Sequence, residues 1–197
     1  MASDKYMPLY TKGAFYVQYG ASTAYTAAAP GSCLAGGTFY NFPPPNPFAQ
    51  PWAISTLSLP EGVLSIGTTL RGDFYGIIKA LNNSQTITFA VATGVVMVAS
   101  VGAITLATIT GNSPLHLWFT LVVTGYSATA GTLRGMMGFE YSAATAGGVA
   151  LPIIGGEVAT AAYDTTIART ISLLAGYGGT DPANTLTINR GVVELIG

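Results

Sequence analysis

From residue 54 onward apolar and polar positions alternate with a period of two, as strands with one face turned to a core require. The clearest case is 115–123. There Leu115, Leu117, Phe119, Leu121 and Val123 share one face, while His116, Trp118, Thr120 and Val122 share the other. Both faces are apolar enough to be covered. Similar segments occur at 54–59, 70–78 and 86–91, and further strands are expected at 95–101, 103–109, 133–141, 167–174 and 185–195. Turn residues punctuate the series, at Pro60-Glu61-Gly62, at Asn82-Asn83-Ser84 and over 125–130. In the last segment Leu186 and Ile188 have one parity and Val193 and Leu195 the other, so a bulge at Gly191 should restore a single apolar face. No segment carries a capped apolar stripe of helical period, so helices should be few. About eight strands divided by turns predict an all-β chain, a β-sandwich of jelly-roll type.

Residues 1–52 read differently from the sandwich domain expected over 53–197. They are rich in Tyr, Ala, Gly and Pro, include a short strand candidate at 14–19, and end in a proline-rich stretch over 42–52. Proline removes backbone donors and biases the chain to an extended form. Aromatic side chains are costly in a free tail. The segment is therefore expected to be an extended N-terminal arm, anchored on a neighbouring subunit by Tyr6, Tyr10, Phe15, Tyr16, Phe39, Phe42, Phe48 and Trp52.

Composition adds a constraint. Charged residues make up 8% of the chain, against roughly 25% in an ordinary soluble domain. Between Lys79 and Arg134 there is no Asp, Glu, Lys or Arg at all. So thin an ionic cover implies that much of the surface is hidden by copies of the chain or by a partner. The net charge of −1 and the scattered cations leave no basic stripe for nucleic acid. Cys33 is the single cysteine, so neither an internal disulfide nor a cysteine-built metal site can form. Residues 1–10 lack the apolar core of a signal peptide, and synthesis in the cytoplasm is expected. Residues 87–109 are uncharged and long enough to cross a bilayer, but their threonines and glycines favour strands, so no membrane association is expected.

Candidate chemistry is sparse. The G-x-S-x-G elbow, the phosphate-binding G-x-x-x-x-G-K-[ST] and the dinucleotide G-x-G-x-x-G are absent. Gly176, Gly178 and Gly179 read as loop glycines. The single histidine, His116, lacks an orienting partner nearby in sequence and reads as a structural or interface residue. Asp73, Glu140, Glu157 and Asp164 are far apart in sequence, although two of them could meet in space as glycosidase acids do. Arg71-Gly72-Asp73 spells an adhesion tripeptide but is flanked by strand-like residues, and reads as a chance match. Asn82-Asn83-Ser84 formally matches a glycosylation acceptor, without a secretory signal to give it meaning. Glu194 sits among Val192, Val193, Leu195 and Ile196. It either faces solvent on an edge strand or pairs with an arginine, from Arg190 or from another copy, as part of a subunit interface that would set register more than stability. No catalytic residue, cofactor or metal site is expected.

Residues 57–67, LSLPEGVLSIG, resemble the strand-and-turn entry of small jelly-roll virion proteins of tailed bacteriophages, and 184–194, NTLTINRGVVE, resemble their closing strand. The resemblance runs from about residue 54 to the end. It implies a capsid decoration (cement) protein, commonly a homotrimer, that binds and stabilises a shell of major capsid protein, made in the host cytoplasm and resident on the virion. The long aromatic N-terminal segment departs from that pattern. A phage tail or receptor-binding component is the structural alternative, with sugar-contacting aromatics such as Tyr126 or Tyr177 on exposed loops. A β-sandwich hydrolase is the alternative from another class, and would need a cluster of carboxylates or His116 beside a carboxylate.

Overall fold

A computed structural model describes residues 13–19, 25–26, 52–59, 61–62, 64–80, 86–93, 96–106, 108–142, 153–155, 157–159, 164–177 and 184–196. Twelve strands account for most of these residues: β1 (Gly13–Tyr19), β2 (Tyr25–Thr26), β3 (Trp52–Leu59), β4 (Thr69–Ala80), β5 (Thr86–Thr93) and β6 (Val96–Thr105), then β7 (Ile109–Gly125), β8 (Thr132–Tyr141), β9 (Ile153–Ile154), β10 (Val158–Ala159), β11 (Arg169–Tyr177) and β12 (Thr185–Ile196). Among the described residues there is no helix. The strands form two antiparallel sheets. The large one runs β1-β12-β4-β7-β8-β10, with β2 also on β12 and β9 also on β8; the small one runs β3-β11-β5-β6.

The expected alternation is what joins them. Leu115, Leu117, Phe119, Leu121 and Val123 of β7 are all buried, as are Leu70, Phe74 and Ile78 of β4. Phe89 of β5 meets Phe139 of β8 edge-on at 4.9 Å between centroids, tying one sheet to the other. Within the large sheet Phe74 and Phe119 stack at 6.2 Å. The core faces of β4 and β12 leave room for these rings by placing glycine opposite them: a Cβ on Gly72 would strike the Phe119 ring, and one on Gly191 the Phe74 ring.

Gly191 therefore does not form the bulge expected of it. The register of β12 against β4 shifts between Ile188 and Arg190. Asn189 and Arg190 both face outward, and Gly191 already points to the core. The parity change is absorbed at Asn189, two residues earlier, and Gly191 is left facing the Phe74 ring. Two other boundaries differ from expectation. Residues 96–105 form one strand through Gly102, and β7 begins at Ile109, passing Gly111, Asn112 and Pro114 without a break. Pro114 is tolerated there because it sits where β8 ends: its carbonyl still accepts from the Ser142 N–H at 3.2 Å, and the Ser142 carbonyl, which a residue with an N–H would have met, accepts from the Ser113 hydroxyl instead. Gly176 lies inside β11 and is buried, not in a loop.

Most of the expected arm lies outside the described residues, including Tyr6, Tyr10, Phe39, Phe42 and Phe48. Phe15 and Tyr16 fall in β1, which pairs with β12 as an outer strand of the large sheet, and Trp52 opens β3. The turn at Asn82-Asn83-Ser84 and the glycines 178 and 179 also lie outside the described residues. No helix among the described residues is long and apolar enough to cross a membrane.

Candidate interaction site on the outer face of the large sheet

Along β4, β7, β8 and β12 alternate residues point away from the core, and these strands carry Arg71, Asp73, Lys79, Arg134, Glu140, Arg190 and Glu194 together with the single histidine. Their placement follows from register. Arg190 of β12 lies opposite Tyr75 of β4; Tyr75 lies opposite His116 of β7; His116 lies opposite Glu140 of β8. Strands in a sheet are about 4.8 Å apart, so side chains in such a row stand at stacking distance. The Tyr75 and His116 rings are parallel within 3° at 4.4 Å. On the other side of Tyr75 the Arg190 guanidinium stands 4.3 Å from the ring centroid. Trp118, two residues along β7, leans on His116 at 5.2 Å.

Two carboxylates hold the histidine. His116 Nδ1 is 3.0 Å from Glu140 Oε1, and Nε2 is 3.2 Å from Asp73 Oδ1. Arg71 Nε donates to Asp73 Oδ2 at 3.0 Å. Residues 43 and 24 positions away from His116 in sequence thus become its neighbours. Sequence spacing could not reveal this, since the pairing of β4 with β7 and of β7 with β8 creates it. The adhesion-like tripeptide is accounted for in the same way: Arg71, Gly72 and Asp73 lie in a central strand, with the arginine bound to the aspartate.

The arrangement constrains the chemistry. A histidine acting as general base orients one nitrogen on a carboxylate and keeps the other for substrate. Here both nitrogens face carboxylate oxygens. Both faces of Tyr75 are occupied as well, so it offers no free platform on which a sugar ring could stack. The cluster is a laterally stacked patch whose members contact one another and whose outer edges meet solvent. Among the described residues no group of three metal-ligating side chains forms.

The remaining candidates lie apart. Glu157 pairs with Arg134 at 2.8 Å. Asp164 accepts from the Thr166 hydroxyl at 2.7 Å and backbone N–H at 2.9 Å, and these bonds, helped by Arg169, hold its carboxyl below the usual range. Tyr126 is exposed beyond the end of β7. Tyr177 is not on a loop: it ends β11, buried, with its hydroxyl donating to the carbonyl of Thr185 at 3.0 Å, and burial pushes its ionisation well above the ordinary tyrosine value. Glu194 is exposed and lies opposite Arg71, whose guanidinium turns to Asp73 instead. Its strand is no edge, being flanked by β1 and β4.

One end of the sandwich has a different character. Gly67 N–H donates to Val123 O at 2.9 Å, and Thr165 N–H to Ser127 O at 3.1 Å, tying the segments before β4, after β7 and before β11 together. Ile66, Tyr126 and Ile167 project from these tied segments, all exposed, with Ile196 at the end of β12 beside them. The chain matches no known protein-family model and no curated protein.

Proposed function

We propose that the chain is a viral structural protein, a capsid decoration protein that binds a shell of major capsid protein and its own copies. The observation that carries this reading is the strand order. The sets β1-β12-β4-β7 and β3-β11-β5-β6 have the order of two interleaved Greek keys, which supports a jelly roll with β8 added beyond β7. That is the fold the resemblance at 57–67 and 184–194 implies. In this reading the tied apolar end, with Ile66, Tyr126 and Ile167, is the surface that meets the shell. Its action is area and mass action: apolar burial at about 25 cal/mol per Å², repeated over many copies, opposes expansion of the shell.

Purified protein mixed with shells of the major capsid protein from the same virus should co-sediment and raise the temperature at which they rupture. Ile66→Asp and Ile167→Asp should abolish both effects while leaving the fold intact. Folded protein that ignores the shells, or that binds equally well with both substitutions, would overturn the assignment.

A further inference from the structure

We propose that the outer face of the large sheet docks a second copy of the chain through a two-fold contact centred on Val192. Three observations lead there, and none depends on a viral role.

The first is composition. Exposed on this face are Tyr75, Met136 and Ile196, beside half-buried Trp118 and the guanidinium groups of Arg71 and Arg190. Tyr, Trp, Met and Arg are the residues enriched where proteins meet, and Tyr, Trp and Arg dominate the energetics of such contacts.

The second is charge. Arg71, Lys79, Arg134 and Arg190 are offset by Asp73, Glu140, Glu194 and the Arg134-bound Glu157. A balanced face gives no preference for a strongly acidic or basic partner, but it can complement itself. Lys79, Arg190 and Glu194 are the members left over, and the last two share β12. Arg190 stands on Tyr75, and among the described residues neither it nor Glu194 makes an ion pair.

The third is register. Arg190, Val192 and Glu194 share the outward face of β12, and lie level with Tyr75, Asp73 and Arg71 of β4 respectively. At about 3.4 Å per residue, Arg190 and Glu194 are some 13 Å apart, with Val192 midway. A two-fold axis lying in the plane of contact, across β12 at Val192, exchanges the two positions. Arg190 of each copy then faces Glu194 of the other, and Tyr75 of each faces Arg71. Sheets packed face to face stand about 10 Å apart, within reach of both side chains. Asp73 falls near the axis, already held by Arg71 and His116. An isologous contact needs this kind of self-complementary patch, in which each residue meets its exchange partner.

Charge reversal tests the pairing. Wild-type protein, Arg190→Glu, Glu194→Arg and the double exchange would be compared by size exclusion with light scattering, with circular dichroism as a check of fold. The proposal expects a dimer for the wild type, dissociation of each single variant into monomers, and recovery of the dimer when both residues are exchanged. Glu194→Arg is the safer single variant, because Arg190 also supports Tyr75 and its loss could unsettle the sheet. A wild type that stays monomeric at high concentration overturns the proposal, as does a trimer, or a dimer indifferent to Glu194→Arg. These outcomes are independent of shell binding, which reads the apolar end of the sandwich.

Discussion

In the small sheet, residues 87–93 of β5 and 171–177 of β11 are buried without interruption, so both faces of these two central strands are covered, and β3, β5 and β6 contain no ionic residue. In the large sheet, β4 and β12 bury alternate residues and hold Arg71, Asp73, Lys79, Arg190 and Glu194 on the other face. The 8% charge content is therefore not a uniform thinness. Ionic groups are missing where the backbone is enclosed and concentrated where one face stays open. The burial of these two strands lies within the chain itself and is separate from the cover by copies or a partner expected from composition.

One carboxylate inserted into each sheet breaks the comparison open. Ala90 on β5 is fully buried, whereas Thr120 on the outer face of β7 lies opposite Arg71. An uncompensated buried charge costs about 3–5 kcal/mol or more, a large share of the ~5–15 kcal/mol that holds a domain together. Ala90→Asp should therefore yield little folded protein, and Thr120→Asp should unfold within about 0.5 kcal/mol of the wild type in urea. Equal tolerance at both positions would mean that the two sheets do not differ as described.

Next in size is the link between the sheets. Phe139→Ala removes the ring that meets Phe89 edge-on and leaves a cavity between the layers. The expected loss is about 3–5 kcal/mol, read from the urea midpoint at unchanged slope.

Much of this contrast was legible in the sequence, and the parts that were not share a cause. The core face of 115–123 could be read residue by residue, because alternation is a local property and burial follows it. The surroundings of His116 could not. Asp73 and Glu140 reach it only through registers fixed by the whole sheet, so no nearby residue announces them. The bulge was legible as a parity conflict between Ile188 and Val193, but it falls at Asn189, and Gly191 is left facing the Phe74 ring across the strand pair. Tyr177 looked like a loop aromatic because glycines follow it, yet β11 holds it beneath the Thr185 carbonyl. Pairs within one strand are visible in sequence; pairs between strands appear only once the order β12-β4-β7-β8 is known.

The histidine cluster sharpens the comparison at a lower energy. His116→Ala leaves Asp73 and Glu140 without their shared partner and Tyr75 without its stacked neighbour. All of these groups are partly solvated, so water replaces much of what is lost. A destabilisation of about 1–2 kcal/mol is expected, well below that of Phe139→Ala. A loss as large as the core variant would mean that the outer face is as enclosed as the small sheet.

Acid titration separates a local device from both sheets. Asp164 has its ionised form favoured by the Thr166 hydroxyl and N–H, which lowers its folded-state pKa from the ordinary 3.8. A carboxyl with a depressed folded pKa contributes stability that is fully present above its unfolded value and disappears as pH falls through the folded one. The gap in melting temperature between wild type and Asp164→Asn should therefore be constant near neutrality and close as the pH drops below about 4. A gap that widens in acid would contradict the hydrogen-bond assignment.

The smallest effect belongs to the most obvious ion pair. Arg134 and Glu157 meet at 2.8 Å, but their side chains are 57% and 52% exposed. Solvent screens such a pair, and ordering two long side chains offsets most of the attraction. Arg134→Ala should change stability by no more than about 0.5 kcal/mol, and added salt should shrink even that. If chemical unfolding agrees, the Arg134–Glu157 pair contributes little to folding. Residues that hardly matter to the fold, yet sit in register on a face rich in Tyr, Trp, Met and Arg, are better understood as serving contact with another molecule. A cost above 1 kcal/mol for Arg134→Ala would return that face to the fold and remove this reason for expecting a partner on it.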